Sequence, residues 1–186
     1  MNRIPIYKAI IDEESMMSCL SLVSMPAVEQ DFLCFDKEEI IHFDKDKQYI
    51  TGVVMLADTP IYRCSQSLGE YYLVFEKGEI KKMVEKYLAS GMFFNVSCQH
   101  DGNLIEGLSL VETYFVDEHK PSPFKVPEGS VVMTFRCSNP EVWERINNGE
   151  LKGFSLEAML SLEPTKFEEQ KEQTYEEWVD SYISKK

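Results

Sequence analysis

The strongest constraint on the fold is a series of short apolar segments, each about as long as one β-strand and ended by a turn signal. The clearest is Tyr49–Ala57, which is rich in β-branched residues and is followed by Asp-Thr-Pro. Similar segments recur at Cys19–Val23, Tyr71–Glu76 and Ser130–Cys137. Because short turns join most neighbouring segments, the pattern favours a mainly antiparallel barrel or sandwich, with seven or eight strands, over a βαβ sheet.

Two helices are predicted between these strands. The apolar side chains of Glu79–Ser90 recur at helical spacing, and Gly91 follows where a C-cap glycine belongs. A second helix is predicted to begin at Pro140, with Asn139 as its N-cap. The acidic segment after Pro164 is predicted to form a further helix. The chain is therefore expected to comprise one domain over residues 1–163 and an acidic helical tail over residues 164–186.

Composition excludes several classes of function. The net charge of −13 argues against nucleic-acid binding, because such binding depends on contacts between basic side chains and phosphates. The apolar runs all fall short of the roughly 20 residues needed to span a bilayer, so no membrane segment is expected. Neither a metal site nor a bound cofactor is expected, because the three histidines are far apart in sequence and a glycine-rich phosphate loop is lacking. The five cysteines show no CxxC spacing and no signal peptide precedes them, which favours free thiols in a reducing cytoplasm.

The residues that carry chemistry are a serine and a histidine. Ser155 follows a Gly-Phe step where a predicted helix gives way to a strand, and His100 ends another apolar run. A serine nucleophile needs a base to accept its proton, and histidine is the usual one. We expect Gly153 to allow a close backbone approach or an unusual dihedral near the serine. His42, in an acidic segment, and His119, in a proline-rich loop, are interpreted as solvated side chains.

Two carboxylates are candidates for orienting the histidine. Glu157 is two residues from Ser155, so both side chains point to the same face of a strand. Glu112 lies in an otherwise apolar run, where an unpaired carboxylate is costly. Each also has a structural interpretation: Glu157 pointing to solvent, or Glu112 pairing with a lysine. Cys98, two residues before His100, is interpreted as a buried, inert thiol rather than a nucleophile.

At these residues the chain resembles the XkdF-type serine proteases of tailed phages, a branch of the prohead, or capsid maturation, protease group. Four stretches, in the family's order, carry the resemblance over most of residues 15–160. They are LSLVSMPAV from Leu20, ITGVVM from Ile50 with Ile61-Tyr62-Arg63, His100 with VETYFV from Val111, and EVWERI from Glu141 with GELKGFSLEA from Gly149.

The resemblance implies a fold, an activity and partners. The expected fold is a compact, largely antiparallel β-barrel of about seven strands with flanking helices, like that of the herpesvirus assemblins. The expected activity is that of a serine endopeptidase, with Ser155 as nucleophile and His100 as general base. The implied substrates are the phage scaffold and major capsid proteins, cut inside the assembling procapsid in the bacterial cytoplasm, and self-association is a further implied contact.

One position departs from the pattern of the related proteases. In those proteins an acidic residue before the Leu-Ser-Leu-Val motif completes the triad, whereas here the corresponding residue is Cys19. Three readings follow: another acid substitutes, the site is a Ser–His dyad, or this copy is inactive. The last reading leads to the alternative function, a non-catalytic capsid-assembly protein that keeps the protease fold.

Overall fold

The structure, a computed structural model, describes residues 4–26, 41–44 and 48–165. Within them the chain forms eleven β-strands and two α-helices, together with a 3-10 turn at Met92–Phe94. The strands are β1 (Ile6–Ile10), β2 (Met16–Val23), β3 (Ile41–Asp44), β4 (Tyr49–Met55), β5 (Ile61–Ser65), β6 (Gly69–Val74), β7 (Val96–Cys98), β8 (Leu108–Phe115), β9 (Val131–Cys137), β10 (Gly153–Met159) and β11 (Ser161–Thr165). The helices are α1 (Lys77–Ser90) and α2 (Pro140–Asn147).

The strands form three sheets, in the orders β11-β1-β6-β5, β10-β2-β7 and β3-β4-β9-β8. The mainly β class with flanking helices is as predicted. The prediction of a single compact barrel of about seven strands was wrong, because the described strands close none of these sheets into a barrel. Each of the three sheets instead keeps two edge strands of its own.

The barrel prediction failed because strands distant in sequence pair with one another. β1 pairs with β6 in parallel and with β11 in antiparallel orientation, and β7 pairs in parallel with β2. Parallel neighbours need a long crossover connection, whereas the short turns had indicated a run of hairpins. These pairings divide the strands among separate sheets around a shared hydrophobic core.

Both helices begin and end much as their sequence signals predict. In α1 the buried side chains of Ile80, Met83, Val84 and Tyr87 belong to the core, and Gly91 caps the helix in the left-handed conformation, with φ of 74°. In α2 the Asn139 side chain accepts hydrogen bonds from two backbone N–H groups of the first turn. The predicted N-cap and C-cap residues are therefore confirmed, and α1 starts two residues earlier than expected.

Strand β10 turns one face to the core. Side chains on its other face lie beside those of β2 and β7, in the same sheet. Phe154 is buried and packs against Phe135, with ring centroids 5.5 Å apart. Because side chains alternate along a strand, anchoring Phe154 turns Ser155 to the opposite face. After β10, strand β11 pairs with β1 and extends to Thr165, two residues into the segment predicted as a tail. The remainder of that segment lies outside the described residues.

Candidate active site

The three-stranded sheet β10-β2-β7 supplies the polar side chains of the site. Ser155 and Glu157 lie two residues apart on β10, opposite Ser21 and Cys19 of β2 in the antiparallel register. Ser21 is in turn the parallel partner of Ser97 on β7. These five side chains share one face of the sheet, because paired residues and residues two apart point the same way.

His100 is presented by a tight turn that follows β7. The Asp101 N–H donates to the Cys98 carbonyl at 3.0 Å, and the two residues between them, Gln99 and His100, have φ of 52° and 57°. Two successive left-handed residues define the mirror-image turn that glycine or asparagine usually occupies. The left-handed region costs a residue with a Cβ roughly 1–2 kcal/mol, so the surrounding structure must hold this turn in place.

Hydrogen bonds to the end of β2 hold the turn. The Gln99 N–H donates to the Leu22 carbonyl at 3.0 Å, and the Gln99 side-chain oxygen accepts from the Ser24 N–H at 3.2 Å. On its other side, the Asn103 N–H donates to the Asp101 carboxylate at 2.9 Å, and hydrogen bonding to Asn103 lowers the pKa of Asp101. These hydrogen bonds fix the backbone of the turn relative to β2, the strand that pairs with β10 at Ser155, and so set the position of the His100 side chain.

Ser155, His100 and Glu157 form one hydrogen-bonded chain. The His100 Nε2 atom lies 3.0 Å from the Ser155 Oγ, and the His100 Nδ1 atom lies 2.8 Å from the Glu157 Oε1. An ionised carboxylate only accepts hydrogen bonds, so the proton belongs on Nδ1 and leaves Nε2 free to accept the serine proton. The arrangement has the connectivity of a nucleophile, a general base and a carboxylate that orients the base.

Burial differs along this chain of three residues. Ser155 is only 6% exposed, whereas the side chains of His100 and Glu157 are each 39% exposed. Ser155 therefore lies within the sheet face, and His100 and Glu157 border solvent. An exposed carboxylate interacts more weakly with its partner than a buried one, because water screens the charges.

The other sequence candidates lie away from this chain of hydrogen bonds. Glu112 is on β8, in a different sheet, and its carboxylate is 3.8 Å from the Lys120 ammonium, so the lysine-paired interpretation fits. His119 is exposed and 3.3 Å from the Glu118 carboxylate. His42 lies in β3, opposite Thr51. Gly153 opens β10 without the positive φ that an unusual dihedral would require.

Cys98 sits beside an ion pair at the start of the His100 turn. The Arg145 Nη1 donates to the Cys98 sulfur at 3.4 Å, and its Nη2 lies 2.7 Å from the Glu150 carboxylate. Burial raises the pKa of the Cys98 thiol above its ordinary value, which disfavours the reactive thiolate. Arg145, near the end of α2, therefore links that helix to Cys98 at the end of β7, just before the turn that carries His100.

The position of Cys19 explains how a carboxylate reaches the site. Cys19 is the direct cross-strand partner of Glu157, so the two side chains lie next to each other on the same face. The acid that the resemblance implies at the position of Cys19 therefore has a counterpart one strand away, at Glu157. Of the readings left open by the sequence, the geometry favours a substitute acid.

Sequence reasoning missed two residues of the site, Ser21 and Ser97. Both are wholly buried, with their Oγ atoms 2.5 Å apart, and the Ser21 Oγ also lies 3.2 Å from the Glu157 Oε1. The available signal was a hydroxyl in the middle of the apolar run Cys19–Val23, because a buried polar group needs a hydrogen-bond partner.

Among residues 4–26, 41–44 and 48–165, no three His, Cys, Asp or Glu side chains group in a way that could hold a metal ion. Within the same ranges, no helix is long and apolar enough to cross a membrane.

A comparison with protein-family models matches most of the chain. A family model described as "Putative phage serine protease XkdF" matches residues 36–163, which is more than half of the chain. The matched range contains Ser155, His100 and Glu157, and it begins after β2, which carries Cys19 and Ser21. Neither a curated protein nor a solved structure matches the chain.

Proposed function

The chain belongs to the family of the phage serine protease XkdF, and from that premise we propose that it is a serine endopeptidase in which Ser155 is the nucleophile. His100 acts as the general base, and Glu157 orients it. The observation that carries the proposal is the hydrogen-bond chain from the Ser155 Oγ through both nitrogens of His100 to the Glu157 carboxylate.

The geometry supports a two-step hydrolysis. In acylation, the Ser155 Oγ attacks the scissile carbonyl while Nε2 of His100 takes the hydroxyl proton; Nε2 then gives that proton to the leaving amine. The imidazolium formed in between is stabilised by Glu157, 2.8 Å from Nδ1. In deacylation, His100 takes a proton from water as it attacks the ester, then returns it to the Ser155 oxygen.

We further propose that the substrates are the phage scaffold and major capsid proteins, cut inside the assembling procapsid in the bacterial cytoplasm. The support is the family membership together with the prohead-protease resemblance of the sequence. The net charge of −13 is compatible with a protein substrate and disfavours nucleic acid.

The test is co-expression with the neighbouring scaffold and capsid proteins, followed by intact mass measurement of every chain. Serine-dependent truncation is expected with the wild type and absent with Ser155→Ala. The control is Ser130→Ala, which removes another buried serine hydroxyl but lies between β8 and β9. Equal truncation by wild type and Ser155→Ala, or intact partners in assembled particles, would contradict the proposal; the second result would favour the non-catalytic assembly protein.

A further inference from the structure

The Glu157 carboxylate is held from two sides. One oxygen, Oε1, is 2.8 Å from the His100 Nδ1 and 3.2 Å from the Ser21 Oγ. The side chain is 39% exposed, so the carboxylate would otherwise be free to rotate toward water. A donor from the buried strand β2 therefore restricts the orientation of the group that faces the histidine.

The direction of the hydrogen bonds behind Glu157 follows from counting protons. Ser21 and Ser97 each have one hydroxyl proton, and their Oγ atoms lie 2.5 Å apart. If Ser21 donates to Glu157, Ser97 must donate to Ser21. The Cys19 S–H can donate either to the Ser97 Oγ, 3.5 Å away, or to the Leu20 carbonyl, 3.4 Å away, so in both cases every proton of the row has an acceptor.

The opposite direction is less favourable. If Ser21 donated to Ser97, the proton of the wholly buried Ser97 hydroxyl would turn to the Cys19 Sγ, 3.5 Å away, which is a weak acceptor. The Glu157 oxygen would at the same time lose a donor, and hydrogen bonds to a charged acceptor are roughly twice as strong as neutral ones. A row of donors ending at the carboxylate satisfies each buried group, which is the condition for a stable buried polar network.

We propose that Ser21 is a positioning residue that fixes the Glu157 carboxylate against the His100 ring, with Ser97 fixing the direction of the Ser21 hydroxyl. The inference deepens the proposed function and rests on it for its catalytic consequence. The structural part, the orientation of Glu157 toward His100, does not depend on catalysis.

The first experiment therefore measures the hydrogen bond itself. The downfield proton resonance of the His100 ring nitrogen is recorded by NMR and assigned by its loss in His100→Ala. Glu157→Gln supplies the reference for a weakened bond. In Ser21→Ala the resonance is expected to move upfield and broaden toward that reference, and in Ser21→Thr, which restores a hydroxyl, to return toward wild type.

The second experiment measures hydrolysis of the capsid or scaffold substrate. Ser21→Ala should lower kcat about 10- to 100-fold with little change in KM, because a Glu157 carboxylate that Ser21 no longer holds stabilises the His100 imidazolium less well in the transition state. Ser97→Ala should cost less, since Ser21 can still donate to Glu157. The control, Ser130→Ala, should leave both readouts at wild-type values, although its free energy of unfolding falls because the buried Ala57 N–H loses its acceptor.

The outcomes separate this proposal from the proposed function. A resonance and a kcat in Ser21→Ala equal to those of Ser130→Ala would overturn the positioning role while leaving the protease intact. Equal losses in Ser21→Ala and Ser97→Ala would also overturn it, because a directed row of donors predicts different losses. If the resonance changes in the Ser21 variants as expected but the wild-type protein hydrolyses no substrate, the positioning role stands and the protease is rejected.

Discussion

Replacing Glu157 by glutamine tests the assignment of the third residue most directly. Glutamine keeps the size of the side chain and an oxygen able to accept from Ser21, but it removes the negative charge beside the His100 Nδ1, 2.8 Å away. Its amide group can also turn an N–H toward the imidazole, which favours the wrong tautomer. The charge that forms on His100 during proton transfer would then have no compensating partner.

The magnitude follows from the separation and the exposure. Unit charges about 4 Å apart interact by about 1 kcal/mol in water and about 4 kcal/mol at the effective dielectric constant of a protein surface. Since both side chains are 39% exposed, an intermediate value applies. A loss of about 2–3 kcal/mol of transition-state stabilisation lowers kcat about 30- to 150-fold.

The assay is the rate of capsid or scaffold cleavage, with Ser155→Ala as the floor and the free energy of unfolding as the check on folding. Glu112→Gln is the matched control, because it makes the same change at a carboxylate that contacts Lys120 on another sheet. The reasoning is refuted if Glu157→Gln stays within about threefold of wild type, or if Glu112→Gln loses as much activity.

Three further outcomes concern stability and pH. Gln99→Val should lower the free energy of unfolding by about 2 kcal/mol, since a β-branched residue fits poorly at φ of 52°; an unchanged urea midpoint would exclude strain at the His100 turn. Tyr87→Phe should change it by less than about 1 kcal/mol or raise it, because the buried Tyr87 hydroxyl has no hydrogen-bond partner among the described residues; a larger loss in urea unfolding would reveal a partner. Hydrogen bonding from Ser161, then Ser15, lowers the pKa of Asp12 to about 2, so its contribution to stability is present above pH 3.8 and lost as the pH falls toward 2. In Asp12→Asn the midpoint of thermal unfolding should depend less on pH between 3.8 and about 2 than in the wild type. An unchanged pH dependence would contradict the assignment.

The geometry also gives the departure at Cys19 a physical reading. Cross-strand partners lie about 4.5–5.5 Å apart and point to the same side of a sheet, so a carboxylate on either strand can reach the same space. Here the carboxylate is on β10, at Glu157, and the thiol of Cys19 is on β2. His100, in the turn after β7, meets the carboxylate that β10 supplies.

Some features could be predicted from the sequence because they depend on nearby residues. The caps at Asn139 and Gly91 use backbone groups within one turn of the helix, and local composition specifies them. The alternation of a strand likewise places Ser155 and Glu157 on one face without knowledge of the rest of the fold. Among the described residues, the sequence therefore indicated a mainly β chain and the helix caps at Asn139 and Gly91, and it offered Glu157 and Glu112 as alternative carboxylates.

Other features were decided only by the tertiary structure. Strand patterns do not specify which distant strand becomes the neighbour, so the parallel pairing of β7 with β2 and the three separate sheets were not predictable. Together with the antiparallel pairing of β10 with β2, that parallel pairing brings His100 to Ser155 and Glu157 and places Ser21 and Ser97 behind the Glu157 carboxylate, whereas Glu112 lies in another sheet. Contacts between residues more than fifty positions apart depend on register and packing, and no local segment of this chain encodes either.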